Sequence, residues 1–475
     1  MLDDTIAALS TGSLPSGVAV VRLSGPAVRE ALLRIAGDLP QERRASLRRF
    51  RGADGRLIDR GIALFFAGPR SVTGEDLAEF HLHGGRAVVA ALIEALTALP
   101  GVRLAVAGEF TRRAFENGRI DLTEAEGLAD LLAAETEGQR RMAVAQAGGA
   151  LRAVYEGWMR RLTHARAMIE ASFDFADEGD VSADVGADVA SDMRHLADDM
   201  RAHLAKAGRG EILREGYKVA IVGAPNAGKS SLLNALADRE VAIVTEVPGT
   251  TRDVIEATLD LGGIPVRFSD TAGIRETSDR VEAIGVERAR AVMASADLVL
   301  ALVGPDQAPG PLAQLGELLT HVKHPLMLVG QDEGAREASS PVHNPARQIL
   351  TIRTKVDLPA RAAATITDSD RDHRFDFAIS TRTGDGLGAL VERIALMAGE
   401  AAGDPDEAVP VRVRHRELVA EALHILDRYL DHPSIPAEVA AETLRQAGDR
   451  LGALTGQVGV EDLLDVIFSE FCIGK

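Results

Sequence analysis

The run Gly223-Ala224-Pro225-Asn226-Ala227-Gly228-Lys229-Ser230 fits G-x-x-x-x-G-K-[ST]. Glycines at both ends let the backbone turn its N–H groups onto a phosphate chain, and a helix starting there adds the positive end of its dipole. Lys229 would reach the outer phosphates, the Ser230 hydroxyl would hold Mg²⁺, and Ser231 continues the cradle. The motif needs a strand before it and a helix after it. The apolar run Lys218-Val219-Ala220-Ile221-Val222 reads as a buried strand, and Ser231-Leu232-Leu233-Asn234-Ala235-Leu236 as a helix.

Four more segments follow in order. Thr245-Glu246-Val247-Pro248-Gly249-Thr250-Thr251-Arg252-Asp253 offers Thr251 as a residue that completes the Mg²⁺ shell and senses the γ-phosphate. Asp270-Thr271-Ala272-Gly273 follows the apolar strand 265–269. Asp270 can reach the metal region, and the Gly273 N–H can meet the γ-phosphate. Thr354-Lys355-Val356-Asp357 resembles the guanine-reading [NT]-K-x-D segment. Asp357 would accept from the guanine N1–H and N2–H₂, which adenine cannot offer, while Lys355 packs over the base. Thr354 stands where Asn is usual, which weakens one hydrogen bond. Ser380-Thr381-Arg382-Thr383-Gly384 resembles the loop that closes over the base through backbone N–H groups, with Ser-Thr for the usual Ser-Ala. A K-x-D triplet alone is weak evidence; five segments in order make GTP the expected ligand.

Ile274 follows Gly273, where Ras-like enzymes carry the Gln that orients the attacking water, so another group must act. Glu282 is close enough in sequence, although it also reads as a surface residue at the start of a helix. Charge compensation has two candidate sources. One is an arginine, Arg252 or Arg275. The other is a monovalent cation held by Asn226 and backbone carbonyls of the 245–250 loop, with K⁺ acting electrostatically.

The elements around these segments suggest about three domains in 475 residues. Residues 1–119 read as mixed α/β, with strands at 18–23, 61–66 and 77–82 and helices near 27–36 and 86–99. His81 and His83 share one face; without a third ligand nearby, strand packing is the better reading than a metal site. From Asp121 the chain turns helical, with Thr123-x-x-Glu126 as the capping box and helices over 151–173 and 189–207, joined by an acidic connection at 174–188. Tyr155 and Trp158 read as helical core. Residues 215–399 alternate strand and helix, implying a parallel sheet covered on both faces. After a Gly/Asp/Pro linker at 399–409, helices return at 414–429, 437–454 and 463–471. The two helical flanks are expected to pack together, with the α/β unit inserted between them.

The net charge of −18 argues against a surface that coats nucleic acid uniformly, while leaving room for local basic clusters such as Arg43, Arg44, Arg48, Arg49 and Arg51. Taken singly, such a cluster reads as a solvated face. One cysteine, Cys472, precludes an intrachain disulfide and suits a reducing cytoplasm. No apolar run is long enough for a membrane span, and the N-terminus lacks a signal pattern.

Motifs outside the nucleotide segments resemble those of the MnmE (TrmE) tRNA-modification GTPase family. They are Val21-Arg22-Leu23-Ser24-Gly25-Pro26; Thr73-Gly74-Glu75-Asp76 with Glu79 and His83-Gly84-Gly85; Gly108-Glu109-Phe110-Thr111-Arg112-Arg113-Ala114-Phe115 with Asn117-Gly118-Arg119; and the ending Phe471-Cys472-Ile473-Gly474-Lys475. The ending is the most specific, because a simple GTPase has no need of it. The resemblance implies an α/β plus α protein of three domains. These are an N-terminal folate-binding-like domain (1–119), a discontinuous helical domain (120–214 and 400–475) and an inserted Ras-like G domain (215–399). It implies a homodimer, and K⁺ held by Asn226, Thr245, Val247 and Thr250, with Glu282 organising the water. It also implies work with the flavoprotein MnmG, which brings FAD, to place a carboxymethylaminomethyl or aminomethyl group on C5 of a tRNA wobble uridine. The one-carbon donor would be a tetrahydrofolate derivative, in its 5-formyl or methylene form. Matching folate positions are Arg22, Glu79, Arg119 and Lys475; cations suit the folate carboxylates, and a carboxylate suits the pterin donors. Each of the four also has a plain salt-bridge reading. Cys472 reads equally as a thiol near the uridine chemistry or as a small buried apolar residue. A rival from another class is a regulatory GTPase docking on ribosomal RNA. It would need a basic or stacking RNA module, which 4% aromatics does not favour.

Overall fold

A computed structural model describes residues 4–174, 184–224, 226–238, 242–243, 256–270, 292–305, 326–328, 347–358, 375–432, 435–458, 464, 467–469, 471 and 474. The chain divides into two compact units. The first holds residues 1–129, 146–163 and 448–475, and the second 130–145 and 164–447.

In the first unit a six-stranded sheet has the order β3-β4-β5-β2-β1-β6. Its strands are β1 (Thr5–Leu9), β2 (Ser16–Ser24), β3 (Ser46–Arg51), β4 (Leu57–Phe66), β5 (Leu77–Gly84) and β6 (Val102–Leu104). Alternation in β5 sends Ala78, Phe80 and Leu82 into the core, while Glu79, His81 and His83 face the other way. Helices α1 (Val28–Ala36) and α2 (Arg86–Thr97) cover the apolar face, where Phe50 and Phe80 meet edge-on at 5.3 Å. Helix α3 (Glu109–Glu116) leads to α4 (Leu122–Ala133), whose Leu122 and Ala125 share a cluster with Phe468 and Phe471 near the chain end. There the Ser10 hydroxyl donates to the Gly474 carbonyl at 2.9 Å, and Gly474 has φ +96°. A Cβ on Gly474 would lie 2.2 Å from the Leu9 carbonyl, so this contact requires glycine.

Two expectations are corrected here. The cap of α4 is Asp121, not Thr123. The Asp121 carboxylate accepts from the Glu124 N–H at 2.8 Å, and Glu124 returns a bond to the Asp121 N–H at 2.7 Å. This is a capping box two residues earlier than the one read from sequence. Thr123 and Glu126 lie inside the helix and are buried. The strands β1, β3 and β6 were not foreseen. β1 is short, and its apolar run Ile6–Leu9 shows no alternation, while β3 is an arginine-rich edge strand.

The second unit is built on an eight-stranded, mainly parallel sheet with the order β12-β13-β11-β7-β10-β9-β8, and β14 pairing with β13. The strands are β7 (Tyr217–Gly223), β8 (Ala242–Ile243), β9 (Glu256–Leu261), β10 (Ile264–Asp270), β11 (Leu298–Val303), β12 (Leu326–Leu328), β13 (Arg347–Arg353) and β14 (Phe377–Ala378). β11 is buried at every position, as a strand covered on both faces must be. Only β8–β9 and β9–β10 pair antiparallel. Helices α5 (Glu137–Ala147), α8 (Ala207–Glu215), α9 (Lys229–Ala237) and α10 (Leu387–Ala402) share the sheet's apolar core; the remaining helices are α6 (Ala150–Asp174), whose first part belongs to the first unit, α7 (Asp184–Leu204), α11 (Val413–Asp431) and α12 (Ala437–Thr455), whose last part belongs to the first unit. α7 begins five residues before its expected start at 189 and stops short of 207, and α10 extends through the first four residues of the expected linker, to Ala402. α7 packs along α11, joined by Arg201 and Asp427. On the part of α6 that belongs to the first unit, Tyr155 and Trp158 are buried with ring centroids 5.7 Å apart. Among the described residues no helix is long and apolar enough to cross a membrane.

Candidate functional site

β7 lies between β10 and β11, so its end, Gly223, opens at the middle of the sheet. A Cβ on Gly223 would fall 2.6 Å from the Leu302 carbonyl; only glycine lets the chain leave the strand this close to its neighbour. Gly228, at φ +100°, immediately precedes α9 and starts the helix at Lys229. The Lys229 side chain is buried, and its Nζ donates to the carbonyls of Gly223 (2.7 Å) and Ala224 (3.1 Å). Burial pushes the amine's pKa down, with the Asp270 carboxylate opposing that shift. The Ser230 hydroxyl donates to Asp270 Oδ2 at 2.9 Å. The register Asp270↔Ile221 brings this carboxylate to the same sheet end as the loop. A serine oxygen and a buried carboxylate at hydrogen-bond distance form a hard-oxygen pair of the kind Mg²⁺ prefers.

The two segments expected to read the base converge on the same end. Thr354 follows β13; its Oγ1 donates to the Ala227 carbonyl at 2.6 Å and lies 3.3 Å from that of Val303. The residue expected to weaken a contact therefore ties the base segment to the phosphate loop. Lys355, at φ +57°, sends its Nζ to the Asn226 carbonyl at 2.8 Å. Ser380, fully buried, donates to Asp357 Oδ1 at 2.8 Å and accepts from the N–H groups of Arg382 and Thr383, each at 3.2 Å. Asp357 is thus anchored by one carboxylate oxygen, while the other takes no hydrogen bond among the described residues.

The first unit carries a charged site made of side chains. Arg22 on β2 and Glu79 on β5 are partners in register, with the guanidinium 2.9 and 3.2 Å from Oε1. His81 Nε2 lies 3.2 Å from Glu79 Oε2, and Arg22 sits 5.9 Å from the Phe110 ring centroid. His83 instead pairs with Asp59 at 3.0 Å. Among the described residues no group of three metal-ligating side chains occurs. Gly74, at φ +81°, would place a Cβ 2.8 Å from Asn117 Cβ and 3.3 Å from Arg119 Cγ, so the 73–76 loop lies against 117–119. Asn117 Nδ2 donates to the Thr73 carbonyl at 2.7 Å. Beneath the loop, Ser24 Oγ lies 2.7 Å from both Thr73 Oγ1 and Glu75 Oε2. Arg113, fully buried, pairs with Asp4, Glu75 and Glu109 at 2.7, 3.1 and 3.2 Å. The sequence reading did not single out Arg113 as a hub. Its only local signal is an arginine on the buried face of α3.

Residues 122–472 match the family model of the MnmE helical domain, and residues 5–119 that of the N-terminus of the GTP-binding protein TrmE. The tRNA modification GTPase MnmE of Brucella anthropi is 51% identical over 474 residues, covering 100% of this chain and 99% of the relative. That of Mesorhizobium japonicum is 50% identical over 472 residues, covering 99% of each, and that of Rhizobium etli 49% over 475, covering 100% of each. The chain belongs to the MnmE family. Of its candidate residues, Thr245 to Thr251, Thr271 to Gly273, Glu282, Cys472 and Lys475 lie outside the described residues. The described candidate nucleotide residues, Asn226 to Ser231, Asp270, Thr354, Lys355, Asp357 and Ser380 to Arg382, all belong to the second unit of this MnmE-family chain.

Proposed function

We propose that this chain is a GTP hydrolase of tRNA modification. The observation that carries the reading is the convergence of Lys229, the Ser230–Asp270 pair, Thr354 and the Ser380–Asp357 pair at one end of the second sheet. Similarity to tRNA modification GTPases over the full length supports it further. Lys229 exchanges two neutral carbonyl acceptors for phosphate oxygens when nucleotide enters, an ion pair in place of a charge–dipole bond. Asp357, steadied by Ser380, accepts from the guanine edge. Ser230 and Thr251 would hold Mg²⁺, which would supply positive charge to offset that of the phosphates. Asn226, Thr245, Val247 and Thr250 hold K⁺, and Glu282 positions the water.

The rest of the reading extends to the first unit and to partners. Arg22, Glu79, Arg119 and Lys475 would hold a tetrahydrofolate derivative, Glu79 accepting from the pterin donors and the cations pairing with the folate carboxylates, and the group would supply the one-carbon unit. The chain acts as a cytoplasmic homodimer with MnmG, which supplies FAD, on the wobble uridine of tRNA. Its divisions are 1–119, 120–214 with 400–475, and 215–399. The test is GTP turnover in KCl against NaCl at equal ionic strength, with Glu282→Ala as control. K⁺ stimulation that the variant loses is the expected result. Equal rates in both salts would remove the K⁺ site and return attention to Arg252 and Arg275.

A further inference from the structure

The outer hairpin of the first unit carries an electrostatic arrangement that a fold alone does not favour. Arg49 on the edge strand β3 and Arg60 on β4 are direct cross-strand partners. Like charges directly opposed across an antiparallel pair destabilise it. Nearby carboxylates are engaged elsewhere: Asp38 with Arg48, Glu42 with Arg70, Asp54 with Arg56 and Asp59 with His83. Both guanidiniums are exposed, and neither makes an ion pair or side-chain hydrogen bond among the described residues. Arg51, two residues along the same strand face, bonds only the Gly55 carbonyl. A concavity of about 380 Å³ is lined by Leu47, Arg48, Arg49 and Arg60. Leu47 is 73% exposed and lies opposite Ile62, 38% exposed, in the next register pair of the same face.

We propose that this hairpin face binds the phosphate backbone of RNA. The chain's net charge is −18, so an unneutralised arginine pair is a local exception with charge available to an anionic partner. Guanidinium forks match phosphate oxygens in geometry, and two of them side by side on a strand pair suit successive phosphates. Leu47 and Ile62 add apolar surface for the sugar edge, which a free inorganic anion would not use. Backbone contacts of this kind position RNA without reading its sequence. The proposal rests on the reading that the chain acts on tRNA, and assigns part of the tRNA contact to a surface apart from the nucleotide and Arg22–Glu79 residues.

The test uses the full chain and bulk tRNA, with binding followed by fluorescence anisotropy across a KCl series. Arg49→Gln/Arg60→Gln should weaken binding about tenfold and flatten the plot of log K against log salt by roughly one to two, as loss of one or two phosphate contacts requires. Arg49→Lys/Arg60→Lys should keep most of the slope, and Arg34→Gln, in a surface pair with Glu30, should change nothing. GTP turnover without RNA should be unaltered. The double Gln variant should melt no lower than the parent, since an opposed charge pair is removed. If the parent binds tRNA and the double variant binds it with equal affinity and slope, the surface assignment fails while the functional reading stands. If the parent binds no tRNA, the functional reading fails with it. A change in sedimentation would reassign the face to contact between copies. Arginine-dependent binding to phosphatidylglycerol vesicles without an arginine effect on tRNA would reassign it to a membrane. Either result overturns the proposal.

Discussion

The nucleotide site of the second unit and the charged site of the first hold their working side chains by opposite means. Lys229, Thr354 and Lys355 are each tethered to backbone carbonyls, of Gly223 and Ala224, of Ala227, and of Asn226. Those carbonyls are placed by a loop that glycines and the neighbouring strand ends define. Arg22, Glu79 and Arg113 are held by other charged side chains on separate strands and helices. A backbone-tethered cation can leave for a phosphate while the loop keeps its form. A side-chain network loses its geometry when one member goes, because the partners are left charged and buried. Mutations should therefore cost activity in the second unit and stability in the first.

The comparison is tested most severely by removing one cation from each. Lys229→Ala should lower GTP turnover about 10²–10³-fold while shifting the melting midpoint little, as read by steady-state kinetics and calorimetry. Arg113→Met should cost about 3–5 kcal/mol of stability, since it takes a fully buried partner away from Glu109, which is buried, and from Glu75, which is half-buried. Chemical denaturation measures it, and a cost under about 1 kcal/mol would mean the network is a surface-grade one. Asp357→Asn should weaken GTP binding about 10–100-fold and transfer preference to xanthosine triphosphate, which offers an acceptor where guanine has an amino group. Equal loss for both nucleotides would show that Asp357 is structural.

Smaller effects sharpen the contrast. Burial pushes the Asp121 carboxyl up to about 6 from an ordinary 3.8, with Glu124 adding repulsion against the hydrogen bonds at the cap. The folded state then binds more protons than the unfolded between those values, so this group makes stability fall as pH rises from about 4 to 6. Asp4 and Glu109 act in the other sense. Burial would raise both, but Arg103 and Arg113 outweigh it, so their stabilisation is present above the ordinary carboxyl range and lost as pH falls through it. Asp121→Asn, which keeps a capping oxygen, should remove the decline between pH 4 and 6 and raise stability at pH 7 by about 1–2 kcal/mol, leaving the acid limb intact. Thr354→Ala should weaken GTP binding about fivefold, one hydrogen bond's worth. A loss as large as that of Asp357→Asn would place Thr354 in the base contact itself.

Legibility followed the distance over which each contact is made. Strand β7, the glycine-framed loop and α9 are contiguous, so residue order alone displays them. Asp357 and Ser380 were each legible as motif members, yet their hydrogen bond was not. The α4 cap shows a local ambiguity: Asp121-x-x-Glu124 and Thr123-x-x-Glu126 both fit a capping box, and burial of Thr123 and Glu126 selects the first. β3 escaped notice because its arginines face solvent on an edge strand, where alternation carries little apolar signal.

What residue order by itself displayed is patterns confined to short segments: a glycine-framed loop between strand and helix, a carboxylate in a K-x-D triplet, and the motifs that resemble one family. Their conformations depend on glycine torsions and on neighbours within a few residues. The tertiary structure alone decided which distant groups neutralise one another. Thr354 meets Ala227 across 127 residues of chain, Arg113 meets Asp4 across 109, and Ser10 meets Gly474 across 464. Such bonds form because the sheets bring strand ends together and exclude water there, and a buried polar group must then find a partner wherever the chain supplies one.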